Sequence, residues 1–176
     1  MRAVVVLAAA MLVPVGAAAP ATRVVDSESV GGYRLTQSRS RAIDAFGAPT
    51  LSHSYNLPQG GSPVCRTYWR SLRLVITYLG ECSFTGRAWR ATVEGNGWRT
   101  REGLRIGDVA KRITRVYRGA KVTRRPSPAA VIKWTLMPLG IEWDLRRARP
   151  SSSVIVATQS GKVVGFELRP AELRSG

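Results

Sequence analysis

The N-terminal segment limits what this chain can fold into more than any other, because its pattern predicts that it is removed and does not join the folded domain. Arg2 precedes the apolar run Ala3–Val15, and small residues ending in Ala19-Pro20-Ala21 follow. A basic start, a short apolar run and an A-x-A site are typical of a secretory signal peptide, whereas a membrane span needs roughly 20 apolar residues. We expect residues 1–21 to be removed by cleavage before Thr22, or by an alternative cleavage before Ala19. The alternative is an uncleaved anchor.

The chain contains two cysteines, Cys65 and Cys82, and one histidine, His53. An isolated cysteine pair in an exported protein forms one disulfide, and a short closed loop makes such a bond worth roughly 3 kcal/mol in the chain-entropy picture. The alternative is two buried free thiols. A metal site would lack ligands, because one histidine cannot complete a four-ligand shell. We therefore expect a disulfide and no cofactor.

The formal net charge is +16, from 27 Lys and Arg against 11 Asp and Glu. A strong positive field favours anionic partners. Most arginines are dispersed, so the local clusters are the candidate contacts for such a partner: Arg124, Arg125, Arg146, Arg147 and Arg149. The alternative is a solvated surface with no partner. After the signal, no apolar run is long enough to span a membrane.

Residues 22–32 are polar and short of core formers, which predicts a flexible N-terminus. The following half, 33–96, begins with Ala42, Ile43 and Phe46 at helical spacing, which predicts a helix over Ser38–Phe46 that ends at Gly47. Residues 52–63 are rich in turn formers. Period-2 alternation and strand formers then predict three strands, at 64–69, 72–78 and 88–93.

The second half, 97–170, repeats this order before a polar tail at 171–176. A helix is predicted over 109–118 with Asp108 as its N-cap, and strands at 131–137, 141–145, 154–158 and 163–168. The pattern from Leu35 to Phe46 matches that from Ile106 to Tyr117. The sequence therefore predicts an α+β fold of two pseudo-repeats, each a short helix packed on an antiparallel sheet.

The segment Trp98–Ala120 reads WRTREGLRIGDVAKRITRVYRGA and contains the pattern W-x-T-x-x-G-L-x-x-G. Together with the order Cys65, Trp69, Cys82, it resembles a family of uncharacterised secreted actinobacterial proteins. In pattern alone, the helix-then-sheet halves are similar to modules of outer-membrane assembly lipoproteins and beta-lactamase inhibitory proteins. These resemblances imply a secreted protein of helix-plus-sheet units. The lipidation cysteine of the lipoproteins is absent, and no functional residue can be carried over.

No catalytic constellation emerges from the sequence. Nucleophilic catalysis needs a nucleophile, a base and an orienting group, but His53 lies in a turn-rich segment and no G-x-S-x-G motif is present. Glu142 and Asp144 form an i, i+2 carboxylate pair, but Arg146 and Arg147 nearby favour simple ion pairs. A deep pocket joining His53 to an acid would favour an enzyme, whereas a flat or concave sheet bearing Trp and Arg would favour binding.

The tryptophans provide the second candidate surface. Trp and Arg dominate interface hot spots, so a sheet face bearing Trp69, Trp89, Trp134 and Trp143 could bind a partner; core packing is the alternative. We expect a secreted or envelope-associated, non-catalytic protein that binds another protein or an anionic envelope component. A small secreted hydrolase and a binder of anionic polymers are the alternatives. Export argues against nucleic acid as the partner.

Overall fold

The computed structural model describes residues 23–56, 61–83, 86–124, 132–136 and 152–170. The elements are β1 (Val24–Val25), β2 (Ser29–Val30), β3 (Tyr33–Arg34), α1 (Arg39–Phe46), β4 (Leu51–Asn56), β5 (Pro63–Trp69), β6 (Leu74–Leu79), β7 (Ala88–Val93), β8 (Arg99–Thr100), α2 (Lys111–Val116), β9 (Lys121–Arg124), β10 (Ile132–Leu136), β11 (Ser152–Gln159) and β12 (Lys162–Pro170).

Eight strands form one antiparallel sheet in the order β4-β5-β6-β7-β12-β11-β10-β9. Strands β4 to β7 follow one another across one half of this sheet, and β9 to β12 across the other. The two sets meet where Val93 of β7 pairs with Phe166 of β12. A smaller sheet has the order β3-β2-β1-β8. The predicted α+β class is confirmed, although both strand sets share a single sheet.

Alternation along the strands decides which face of the large sheet becomes the core. In β6, Leu74, Ile76 and Tyr78 are each 1% exposed or less. Their partners Trp69, Thr67 and Cys65 in β5 are equally enclosed. Directly opposed residues of antiparallel strands point to the same face, so these side chains define one apolar side of the sheet, which we call the inner face.

Both helices contribute to the core on the inner face. Phe46 of α1 packs its ring edge-on against Trp69, with centroids 5.5 Å apart, and the Trp69 indole N–H donates to the Gly47 carbonyl at 2.8 Å. Ala42 and Ile113, from α1 and α2, are fully buried in the same core cluster. Helices this short are marginal in water, so burial against the sheet is what maintains them.

The second helix is shorter than the sequence predicts. It begins at Lys111, and Val109 is 59% exposed. Asp108 does not cap it: its carboxylate accepts the Arg105 backbone N–H at 2.7 Å and pairs with the Arg112 guanidinium at 3.2 Å. A local turn and an ion pair therefore satisfy Asp108 before the helix starts.

Two segments expected to lack regular structure form strands. Within 22–32, β1 and β2 form a hairpin in which Val25 and Val30 are each 1% exposed, so this part of the chain is not a flexible N-terminus. Strand β1 also pairs in parallel with β8, about which local sequence gives no information. Within 52–63, β4 occupies residues 52–56, the first part of the turn-rich stretch. The predicted strand at 141–145, the signal segment 1–21 and the tail 171–176 lie outside the described residues.

No helix in the described part of the chain is both long enough and apolar enough to span a membrane.

Candidate functional site

The opposite face of the large sheet, which we call the outer face, is separate from the hydrophobic core. Val64 of β5 and Ile155 of β11 are buried on this side, yet neither belongs to the core cluster that the helices join. On strands β4 and β5 the outer face instead carries polar aromatic and cationic side chains. Four of them contact one another, and we call them the tyrosine–arginine cluster: His53, Tyr55, Arg66 and Tyr68.

Strand register places these four residues together. His53 lies directly opposite Arg66. Tyr55 is two residues further along β4 on the same face, and Tyr68 of β5 is diagonal to His53. The His53 ring stacks on Tyr68 with centroids 5.5 Å apart and an interplanar angle of 15°. Its centroid lies 5.9 Å from that of Tyr55. Stacking of this kind holds the rings in fixed positions on a half-buried surface.

Arg66 joins the two tyrosines of the cluster. Its guanidinium carbon lies 4.9 Å from the centroid of the Tyr55 ring, and Nη2 donates to the Tyr55 hydroxyl at 2.9 Å. Hydrogen bonding to Tyr68 is the largest influence that raises the pKa of Arg66. No carboxylate among the described residues forms an ion pair with Arg66. Its positive charge is therefore positioned but not neutralised.

A second arginine extends the cationic surface across the sheet. Arg66 lies opposite Thr77 of β6, and Thr77 lies opposite Arg90 of β7. Thr77 is 1% exposed, and the Arg90 guanidinium carbon stands 5.0 Å from the Trp89 ring centroid. The cluster is thus continued by a row in which two arginines flank a buried threonine.

Apolar surface and shallow depressions adjoin the cluster. Leu51 and Leu79, which flank it on β4 and β6, are 44% and 38% exposed. A depression of about 410 Å³ begins at Tyr68 and crosses Thr92. It adjoins another of about 650 Å³ that reaches Ile155 on β11. Mixed aromatic, cationic and aliphatic surface with little relief is typical of a macromolecular binding site.

The predicted Cys65–Cys82 disulfide is confirmed, with the two Cα atoms 4.8 Å apart. Neighbouring groups fix the loop that carries Cys82. Its backbone N–H donates to Ser54 Oγ at 2.8 Å, and its carbonyl accepts from the Arg39 guanidinium at 2.9 Å. The bond therefore ties this loop to β5 beside both α1 and β4.

The predicted tryptophan face stays a prediction, because only Trp69 and Trp89 of its four tryptophans have described side chains. Trp69 is 2% exposed and belongs to the core on the inner face, because its indole fits between the sheet and the end of α1. Trp89 is half-buried at a register shift in the pairing of β6 with β7. Trp134 lies in β10, where its backbone pairs with Val156, but its side chain is not described. Trp143 lies outside the described residues.

The predicted arginine contacts remain predictions. Arg124 is the last residue of β9, and its side chain is not described. Arg125, Arg146, Arg147 and Arg149 lie outside the described residues, as do Glu142 and Asp144. The two arginines that the outer face does bring forward, Arg66 and Arg90, were not singled out because they stand alone in the sequence.

His53 is exposed, as expected, but it lies in a strand rather than a loop. Its ring neighbours are Tyr55 and Tyr68, and no acid among the described residues bonds to it. Within those same ranges, no group of three or more His, Cys, Asp or Glu residues is arranged to hold a metal ion. What this arrangement can do chemically is stack on planar groups and bind an anion through Arg66.

The signal that could have revealed the cluster is a faint alternation in β4. His53 and Tyr55 alternate with Ser52 and Ser54, as in a strand with one larger face. Serine and asparagine are poor strand formers, so the segment resembles a turn until its pairing with β5 is known.

Comparison with known proteins adds no relative: no family model, curated protein or solved structure matches this chain.

Proposed function

We propose that this protein is a secreted or envelope-associated, non-catalytic binding protein, and that the tyrosine–arginine cluster is its main contact surface. The observation that carries the proposal is Arg66, which contacts the ring and hydroxyl of Tyr55 and has no carboxylate partner among the described residues. A positioned guanidinium without a carboxylate partner, beside half-buried tyrosine rings, matches the residue types that dominate interface hot spots. The proposed partner is another protein or an anionic component of the cell envelope.

The extracytoplasmic location is part of this proposal. The Cys65–Cys82 disulfide supports it, because structural disulfides persist in oxidising compartments. The excess of 27 cationic over 11 acidic residues supports an anionic partner, since the field of the whole protein attracts such a partner.

A pull-down from envelope extracts with the oxidised protein lacking residues 1–21 tests the proposal. We expect Arg66→Ala and Tyr68→Ala to lose a partner that wild-type protein captures, while Arg118→Ala, an exposed arginine beyond the end of α2, retains it. A partner captured equally by all four proteins would contradict the cluster as the contact surface. If the protein also binds dextran sulfate, and added salt weakens both interactions steeply, the result would identify a general polyanion binder.

We also propose that the chain contains two pseudo-repeats. The strand order supports this, because β4–β7 and β9–β12 each run consecutively across the sheet and meet at the last strand of each set. Each set is preceded by a short helix whose buried residue, Ala42 or Ile113, enters the core. A crystal structure in which α1–β7 and α2–β12 cannot be superposed would contradict the duplication.

A further inference from the structure

Strand β4 forms one edge of the large sheet and lacks the charges, the proline and the register break that protect many such edges. Edge strands are usually kept short, charged, bulged or interrupted by proline, which prevents pairing with other chains. Strand β4 has six residues without Lys, Arg, Asp, Glu or Pro, and its register with β5 is unbroken over all six pairs.

The opposite edge shows the contrast within one sheet. Strand β9 has four residues, of which Lys121 and Arg124 are cationic, and its register with β10 shifts between Lys133 and Trp134. These are the protective features that β4 lacks. The difference points to β4 as the edge kept open for pairing.

Backbone groups along β4 are directed outward at alternate residues. The Gly80 N–H donates to the Pro63 carbonyl. Along an antiparallel pair, every second residue directs its backbone groups to the same neighbour, so Pro63, Cys65, Thr67 and Trp69 are the residues of β5 whose backbone bonds to β6. The intervening residues Val64, Arg66 and Tyr68 therefore bond to β4, through Tyr55, His53 and Leu51. The N–H and C=O groups of Ser52 and Ser54 consequently point away from the sheet, and no backbone group among the described residues bonds to them.

The charge next to this edge selects the occupant. Arg66 reaches from β5 to the edge strand β4, where its guanidinium contacts the ring and hydroxyl of Tyr55 on the outer face. A strand added to β4 would place every second side chain on that same face. A carboxylate there would meet a cation that has no acidic partner among the described residues. A second copy of this chain would instead bring together two proteins of formal charge +16.

We propose that β4 is a strand-addition site for an extended segment of a partner protein that carries carboxylates at alternate positions. The main chain of the segment pairs with Ser52 and Ser54, and its outer-face carboxylate pairs with Arg66. Backbone pairing supplies affinity and the alternate side chains supply specificity, as in other strand-addition complexes. This inference rests on the proposed function, because Arg66 belongs to both surfaces.

Ser54 offers a matched pair of variants that separates the edge from the face. Ser54→Pro and Ser54→Ala both remove the hydroxyl that accepts from the Cys82 N–H, but only proline also removes the outward N–H. Proline is tolerated on an edge strand where its N–H faces solvent, so pairing with β5 is retained. Circular dichroism and urea unfolding of both variants check that each one is folded.

Calorimetric titration of the oxidised protein with a synthetic peptide that alternates glutamate and threonine tests the site. We expect saturable binding, little change in Ser54→Ala and a loss of at least about tenfold in Ser54→Pro and in Arg66→Gln. A peptide with lysine in place of glutamate should bind far more weakly. Absence of acidic-peptide binding, equal binding of both peptides, or equal binding by both Ser54 variants would overturn the inference.

Two further outcomes separate this inference from the proposed function. A natural partner that is lost in Arg66→Ala and Tyr68→Ala but retained in Ser54→Pro would leave the face as the binding surface and overturn strand addition. Reversible dimers in sedimentation, abolished by Ser54→Pro and present without peptide, would assign the edge to a second copy and overturn the acidic partner.

Discussion

The imidazole of His53 lies parallel to the ring of Tyr68, across the pairing of β4 with β5, at a centroid separation of 5.5 Å. The two residues are diagonal neighbours, because His53 pairs with Arg66 and Leu51 pairs with Tyr68. This contact fixes the aromatic part of the tyrosine–arginine cluster in the absence of any partner. A surface that is already ordered loses less conformational entropy when it binds.

A double-mutant cycle measures how much this stack contributes to folding. We expect His53→Ala and Tyr68→Ala to show a coupling free energy of about 0.2–1 kcal/mol in urea unfolding, the range for cross-strand side-chain pairs. His53→Ala combined with Phe46→Ala, on the opposite face, is the control and should be additive. Additivity of the His53 and Tyr68 variants would mean that the stack does not persist in solution.

The disulfide gives a prediction about stability. Removing it in the paired variant Cys65→Ala/Cys82→Ala should lower the free energy of unfolding by roughly 3 kcal/mol, because the sequence separation is 17 and the unfolded chain regains that loop's freedom. Thiol titration of unreduced, denatured wild-type protein should find no reactive thiol. Two reactive thiols per chain would reject the bond in the exported protein.

Buried tyrosines predict a loss of stability at high pH. Burial raises the pKa of Tyr33 from 10.0 to about 12, and burial likewise raises the pKa values of Tyr78 and Tyr117. A group whose pKa is raised by folding stabilises the protein fully below its unfolded pKa, and this contribution is lost as pH rises through the folded value. Stability should therefore fall from pH 10 upward.

Absorbance of tyrosinate during an alkaline titration, followed together with circular dichroism, checks this expectation. Tyr33, Tyr78 and Tyr117 should ionise only as the protein unfolds, and Tyr33→Phe should reduce the amplitude of that step. If all five tyrosines ionise while the protein remains folded, the burial of these three is wrong.

The N-terminus gives a prediction that concerns export. Intact-mass measurement of the exported protein should find a start near Thr22, or at Ala19 for the alternative cut. A product that retains Met1 would overturn the signal peptide and, with it, part of the proposed location.

Much of the fold followed from local pattern. The alternation of Leu74, Ile76 and Tyr78 and the stop at Gly47 each have a local physical cause, so the sequence predicts them well. The pairing of Val24 with Arg99 does not, because a two-residue strand exists only through contacts with distant residues. The disulfide was predictable from cysteine number, whereas the position of the Cys82 loop beside α1 and β4 depended on the sheet.

The candidate site was harder to predict than the fold. Tryptophan is typical of interface hot spots, but the Trp69 side chain fills the core and donates its N–H to the Gly47 carbonyl. Arg66 stands alone in the sequence, and its contact with Tyr55 depends on the register of β4 with β5. Clustering in space rather than in sequence defines this surface, and a single sequence carries no direct record of it.

The last prediction tests whether α2 depends on the sheet. Ile113 is fully buried and Val109, just before the helix, is 59% exposed. Ile113→Ala should cost roughly 2–5 kcal/mol, because it removes buried methyl groups and leaves a cavity in the core. Val109→Ala is the matched control and should change stability by less than about 0.5 kcal/mol. Urea unfolding of both variants gives the comparison. Similar small losses in the two variants would mean that α2 does not pack on the inner face, and the second helix-plus-sheet unit would have no basis.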